Sequence, residues 1–337
     1  MQDYTSVMDT TSSSPLPPTI PSPKIRTAAL TDLVAAAAVY QSAAHALFDE
    51  RRAIDPWASE DARQIDLQAA IDALGAISCA HPEAVQVSEH DGAIVAVGAV
   101  VIRERHAHIL FLFVDPVWQQ RGVGHALLNE LRRVIAEAGC TVISLTASED
   151  RRAWRRYLAM GLQPGAPLVS MRAPVVVFPE MPKGDRLVVQ AVSRNHPEAL
   201  DVIDEIDKAV KGARRRTDVE HWIGEEGATG AVLLHEGTGL PVGYYLVSGD
   251  ARYGRIGPVA SLETDRFRDV LQRALHAAGN LEGAARLVWR IDLPAQNHDA
   301  IEPLFQAGFT PWNLLPWFAN GTIGRWDRYI FRDEDQL

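Results

Sequence analysis

The chain has 337 residues, 47% of them apolar and 23% charged, with a net charge of −10. That profile suits a water-soluble α/β protein of two ordinary domains and gives no general affinity for nucleic acid or anionic membrane. Its two cysteines, Cys79 and Cys140, exclude a disulfide scaffold and cannot build a structural zinc site alone, so no metal is expected. No run approaches the roughly 20 apolar residues of a membrane helix, and the N-terminus lacks the layout of a signal peptide, so a cytoplasmic address is expected.

In chain order, residues 1–24 are rich in Ser, Thr and Pro, with almost no buryable pattern, and are expected to form a disordered tail. Helical periodicity covers about 30–49 and 65–77, and strand-like runs follow at 84–88, 94–103 and 108–114. The spacing of Val123, Leu127, Leu128, Leu131 and Ile135 predicts a helix with one buried face, stopped at Gly139. A strand at 141–147, a short helix at 150–159 and a strand near 169–177 complete the first half. The Pro-rich stretch at 179–185 is the expected linker between domains at 25–178 and 186–332.

After the linker the pattern begins again. Strands are expected at 186–192, 231–235, 241–248, 255–260 and 285–293, with helices at 196–210, 267–278 and 299–307. The halves superpose at an offset of about 145 residues: Val97-Gly98 falls on Val242-Gly243, Val114 on Val259, and Gly161 near Gly308. The expected fold is two tandem α/β units of the α+β type, each a mixed, mostly antiparallel sheet flanked by helices.

The chemistry concentrates in Val114-Asp-Pro-Val-Trp-Gln119-Gln120-Arg121-Gly122-Val123-Gly124-His125, where a strand passes through a Gly-containing turn into a helix. Amides at a helix start lack partners and favour an anion, and Gly122 and Gly124 are expected to let the backbone approach a pyrophosphate. The order of residues is neither a Walker A loop nor a Rossmann fingerprint.

This string resembles motif A of the Gcn5-related N-acetyltransferase superfamily, and Ala153 to Leu162, with Tyr157 four residues before Gly161, resembles its motif B. The resemblance implies acetyl-CoA as co-substrate, bound by the segment from Gln119 to His125 and by the backbone of Leu112, Phe113 and Val114. It also implies Tyr157 as general acid for the departing thiolate. The position of the superfamily's glutamate base is taken by His108, whose titration near neutrality suits the task; His106, Glu104 or ordered water are the alternatives. Arg151, Arg152, Arg155 and Arg156 are expected to form a solvated helix face, the alternative being that some of them face the CoA phosphates, and Arg214-Arg215-Arg216 a surface loop, the alternative being an anion-binding cluster.

The second half has Leu262-Glu263-Thr264-Asp265-Arg266 in place of the Gly loop and Leu304 in place of the tyrosine, and is expected to be catalytically inert. Trp312, Trp317 and Trp326 are expected to be core or inter-domain residues. The reading is N-acetyl transfer to a primary amine, of a small molecule in the first instance. A protein lysine acceptor and a non-catalytic acyl-CoA sensor are the alternatives. The acidic residues Asp49, Glu50, Asp55, Glu60 and Asp61 border the expected acceptor region. A second copy of the chain is the one macromolecular partner considered.

Overall fold

The computed structural model describes residues 23–51, 60–148, 150–181, 184, 186–250 and 253–332, without the side chains of 48–51 and 60–62. Residues 1–22 of the expected tail, Pro182, Lys183 and Asp185 of the expected linker, Asp55, and the side chains of Asp49, Glu50, Glu60 and Asp61 lie outside it. The first half runs β1 (Lys24–Thr27), α1 (Leu33–Arg51), α2 (Glu60–Ala80), β2 (Val85–His90), β3 (Ala93–Arg103) and β4 (His106–Val114). It continues with α3 (Val123–Glu137), β5 (Val142–Thr146), α4 (Arg151–Ala159), β6 (Gln163–Pro164) and β7 (Leu168–Ala173). The second half repeats the order with β8 (Leu187–Ala191), α5 (Pro197–Val210), α6 (Arg216–Trp222), β9 (Thr229–His235), β10 (Pro241–Gly249) and β11 (Tyr253–Ser261). It closes with α7 (Phe267–Gly279), β12 (Val288–Pro294), α8 (His298–Gln306), β13 (Thr310–Leu315), β14 (Trp317–Ala319) and β15 (Tyr329–Ile330). No helix among the described residues is long and apolar enough to cross a membrane.

Two mixed, mostly antiparallel sheets result, with the orders β1-β2-β3-β4-β5-β14-β6 and β13-β7-β12-β11-β10-β9-β8. Each has one parallel pair, β4 with β5 and β11 with β12. The sheets exchange strands. β7, from the first half, lies between β12 and β13, and β14, from the second half, lies between β5 and β6. The strand expected near 169–177 therefore forms, shorter, and serves the other unit's sheet.

The first sheet is covered on both faces. Its Val97 and Ala99 pair with Phe113 and Phe111, whose rings meet Tyr40 of α1 edge-on at 4.8 and 5.4 Å. Gly98 faces the other way, and a Cβ there would lie 2.9 Å from Leu131 Cδ1 of α3. That close approach seats α3, whose Leu127, Leu128, Leu131, Val134 and Ile135 are all buried as their spacing requires. Each such side chain contributes roughly 1.5–3 kcal/mol through burial.

The units share a core. Leu168 of β7, Trp317 of β14, Trp326 and Phe331 pack with the α5 residues Leu200, Ile203 and Ile206. Arg103, beside the β3–β4 turn, pairs with Asp218 of α6 at 2.7 Å, and Glu104 in that turn pairs with Lys208 of α5. Arg215, expected on a surface loop, is buried: its guanidinium donates to Asp207 Oδ2 at 2.9 Å and to the Tyr244 and Tyr329 hydroxyls at 3.0 and 2.7 Å. The run of three arginines hid this, because their partners lie on α5 and on strands distant in sequence. Trp317 and Trp326 are buried as expected, whereas Trp312 is half exposed beneath Arg172. Since each sheet needs a strand from the other half, unfolding is expected to be a single cooperative transition in scanning calorimetry; two separated transitions would show that the units unfold independently.

Candidate active site

β4 and β5 are paired only from His106 with Val142 to His108 with Ser144. A bulge in β4, with Phe111 opposite Ala99 and Ile109 opposite Val100, leaves Leu110 unpaired and bends the strand. Beyond it the two strands diverge. Alternate backbone groups of Ile109–Val114 then face a cleft instead of a neighbouring strand. The cleft is lined by Leu112, Phe113 and Val114 of β4, Leu145 and Thr146 of β5, and Arg156 and Tyr157 of α4. Ala43, Ala46 and Leu47 of α1 close its far side.

At one end lies the loop into α3. Asp115 fixes its start by accepting from the Val117 amide at 2.9 Å, and the Gln119 side chain ties it back by donating to the Val114 carbonyl at 3.1 Å. Gln120 and Gly122 take left-handed backbone angles, φ 61° and 86°. α3 starts directly after Gly122 with no side-chain cap. The amides of Arg121, Gly122, Val123 and Gly124 find no acceptor among the described residues, so a cluster of aligned N–H dipoles is directed at the loop.

The two glycines have different reasons. A Cβ on Gly122 would meet nothing within 4 Å, so its left-handed φ is what requires glycine there. A Cβ on Gly124 would stand 3.2 Å from Val114 Cγ2 and 3.6 Å from Arg156 Nη1. Arg156 is thus brought from α4 to the uncapped amides of α3, and no hydrogen bond or ion pair of its side chain is found among the described residues. The arginines of α4 therefore divide. Arg156 and Arg152 line the cleft, Arg152 held by Asp150 at 2.9 Å, while Arg151 and Arg155 are exposed outside it.

Of the residues expected to bind the cofactor, Leu112, Phe113, Val114, Gln119, Gln120, Gly122 and Gly124 line the cleft. Arg121 stacks over Trp118 at 5.4 Å, Val123 is buried under the helix, and His125 pairs with Asn129 at 3.2 Å. These three reach the loop through their backbone alone. Arg152 and Arg156 take the alternative place expected for this helix, facing the cleft, and Ala43, Ala46 and Leu47 lie in the expected acceptor region without having been named singly; the basic run masked which of its arginines turn inward.

Tyr157 lines the cleft, 8% exposed, and its hydroxyl makes no hydrogen bond among the described residues. Burial pushes its pKa up to about 12, so it holds its proton throughout the physiological range. Its ring lies 5.7 Å from that of Phe318 in β14.

His108 is not brought to the cleft. It is 1% exposed, where the two strands are still paired, with Nδ1 2.9 Å from Ser144 Oγ and its ring stacked on Trp317 at 5.5 Å. A general base needs contact with its proton donor, and this ring has none. Strand alternation gave its position but not the tryptophan supplied by the other half. His106 shares the same Ser144 hydroxyl at 2.8 Å, and Glu104 lies on the outer turn with its carboxyl held down by Lys208.

The second unit has the corresponding divergence, β11 and β12 pairing only from Tyr253 with Val288 to Arg255 with Arg290. Its cleft is filled by the chain itself. β15 pairs with β11, Ile330 opposite Val259, and the Phe331 amide donates to the Asp292 carbonyl at 3.0 Å. Asn297, the cap of α8, fixes the plug by donating to the Tyr329 carbonyl at 3.0 Å. Leu304 is fully buried where Tyr157 stands in the first unit, and Glu263 pairs with His235 at 2.7 Å.

The Acetyltransferase (GNAT) family matches residues 44–162, the span that holds the cleft, the loop and Tyr157. The first unit is a GNAT domain. Among solved structures, one from Pyrococcus horikoshii has a TM-score of 0.66 at 17% identity, over 93% of this chain and 95% of that one. A GCN5-related N-acetyltransferase from Sphaerobacter thermophilus has a TM-score of 0.61 at 15% identity, over 88% and 94%. A tandem GNAT protein from the clavulanic acid biosynthesis pathway has 0.55 at 17%, over 89% and 99%. These likenesses establish the two-unit fold across the chain. No curated protein matches it. GNAT enzymes are acyltransferases that take their acyl group from an acyl-CoA, and the cleft fits such a thioester: apolar walls and, at the loop into α3, four amides and one guanidinium without partners among the described residues.

Two outcomes follow. Calorimetric titration with acetyl-CoA is expected to give one site per chain, abolished by Gly124→Asp, whereas two sites would show that the plug yields. Burial also pushes His106 down to about 3 and His108 well below the ordinary histidine range. Below the unfolded value near 6.5 the unfolded chain takes protons that the native state refuses, so stability is complete above about 6.5 and falls as pH drops toward 3. Unfolding free energies from denaturant titrations at pH 7.5 and 5.0 are expected to differ by up to about 2 kcal/mol per histidine, a difference reduced by the pair His106→Gln and His108→Gln.

Proposed function

We propose that the chain is an acetyl-CoA-dependent N-acetyltransferase acting by direct transfer on a primary amine of a small molecule. The observation that carries this reading is the convergence, in one cleft, of the uncapped α3 amides, Arg156 and the unbonded Tyr157 hydroxyl. The pyrophosphate would rest on the amides of 121–124 beneath Arg156, and the pantetheine arm would pair with the free backbone edge of β4. Backbone N–H groups near Phe113 or Val114 would polarise the thioester carbonyl.

Among the lining residues the titratable groups are Asp150, Arg152, Arg156 and Tyr157, and Asp150 is occupied by Arg152. Since none of these described lining groups is a free base, we take water as the acceptor of the ammonium's proton. The neutral nitrogen attacks the carbonyl carbon, the C–N bond forms as the C–S bond breaks, the sulfur takes the Tyr157 proton, and the second proton shed by the nitrogen passes through solvent to the phenolate, restoring the tyrosine. A thiolate is a good leaving group, with a pKa near 8.5 in water, and the same burial that raises the phenol raises the thiol.

Tyr157→Phe is expected to lower kcat roughly 10²-fold, the low end for general acid catalysis, with the acetyl-CoA KM little changed. Arg156→Ala is expected to raise that KM roughly tenfold, as a lost charge-assisted hydrogen bond would. Both are read by thiol release against a panel of amines and lysine peptides. Binding of acetyl-CoA with no transfer to any amine would overturn the enzymatic reading in favour of a sensor, and transfer to peptides alone would make the acceptor a protein.

A further inference from the structure

We infer that the second unit, whose own cleft is plugged, completes the acyl-transfer site of the first: β14 is part of that site, and Phe318 is the positioning residue that aims the Tyr157 hydroxyl. The inference rests on the acetyltransferase reading above. β14 fills the gap between β5 and β6, Phe318 pairing with Leu145 on one side and Pro164 on the other. It also holds the end of β5, because the Ala147 amide donates to the Pro316 carbonyl at 2.8 Å. Beyond that bond the chain continues through Ser148 to Asp150, which caps α4 and lines the cleft.

Phe318 is 1% exposed and touches α4 at two places, with its ring 5.7 Å from Tyr157 and 5.6 Å from Trp154. Trp154 is in turn fixed by donating to the Ser148 carbonyl at 2.7 Å. The Tyr157 hydroxyl has no hydrogen bond among the described residues to set its direction, so packing of its ring is what sets it. A phenol that must meet a sulfur held elsewhere tolerates little rotation, since an ångström of misplacement weakens proton transfer. The adjacent Trp317 covers His108, and so the same short strand closes the floor of the divergence between β4 and β5.

The test is a double-mutant cycle on the full chain with Phe318→Leu, which keeps a sizeable apolar side chain but no ring, and Phe318→Ala, each alone and combined with Tyr157→Phe. Phe318→Leu is expected to lower kcat about tenfold and Phe318→Ala more, with the acetyl-CoA KM within about threefold of wild type. In the Tyr157→Phe background both are expected to cost less than about threefold, because the group they position is gone. Equal losses in both backgrounds, or losses confined to KM, would overturn the inference.

A second readout does not depend on activity. The ultraviolet ionisation difference between wild type and Tyr157→Phe isolates this phenol, and its midpoint is expected to fall toward 10 in Phe318→Ala as water reaches the ring. An unmoved midpoint would overturn the positioning role even if the chain transferred no acetyl group. A midpoint that falls in Phe318→Ala while the wild type transfers to no amine would leave the positioning intact and sink only the enzymatic reading.

Discussion

Each sheet contains a place for one strand that its own half of the chain does not fill. β14 enters the first sheet between β5 and β6, and β7 enters the second between β12 and β13. The exchange meets a basic requirement: β5 and β12 would otherwise present unpaired amides and carbonyls along a buried edge. Meeting it with the partner's strand, in preference to one's own, ties two repeats into one body. The shared core of Leu168, Trp317, Trp326 and Phe331 follows from that exchange, as does the burial of His106 and His108.

The cleft exists because the same sheet is left incomplete elsewhere. The bulge at Leu110 turns β4 away from β5, and the backbone edge thus exposed is stable only if water or a ligand bonds to it. In the second unit the chain supplies that partner itself, with Tyr329 and Ile330 paired onto β11. Identical topology has therefore been satisfied in two ways, one open to an acyl-CoA and one closed. The loss of glycine at Glu263–Arg266 accompanies the closed state: with no pantetheine arm admitted, nothing calls for an anion cradle.

Much of this was legible in the sequence, because the first unit's phosphate loop is encoded locally. A strand, a left-handed glycine at Gly122 and the 3.6-residue spacing of Val123 to Ile135 specify one another within a few residues. The internal repeat, and with it the fold, was legible for the same reason. Strand exchange was not, since nothing in the residues of β7 names the sheet it joins. Trp317 and Phe318 lie far along the chain from His108 and Tyr157, so the pattern that located the two site residues gave no sign that one is sealed and the other braced. Arg215 was misread because burial of a charge is decided by Asp207, Tyr244 and Tyr329, which converge on it only in three dimensions.

The position of β14 also governs how the protein is made. N-terminal domains generally fold first as a chain leaves the ribosome, and the first unit holds the loop, the tyrosine and most of the cleft. Its sheet nevertheless waits for Trp317–Ala319, which are made after every other strand of that sheet. Until then β5 has a bare edge and Tyr157 an unsupported ring. The Tyr157 side of the cleft is thus completed only after the second half has been made, in the step that also inserts the plug.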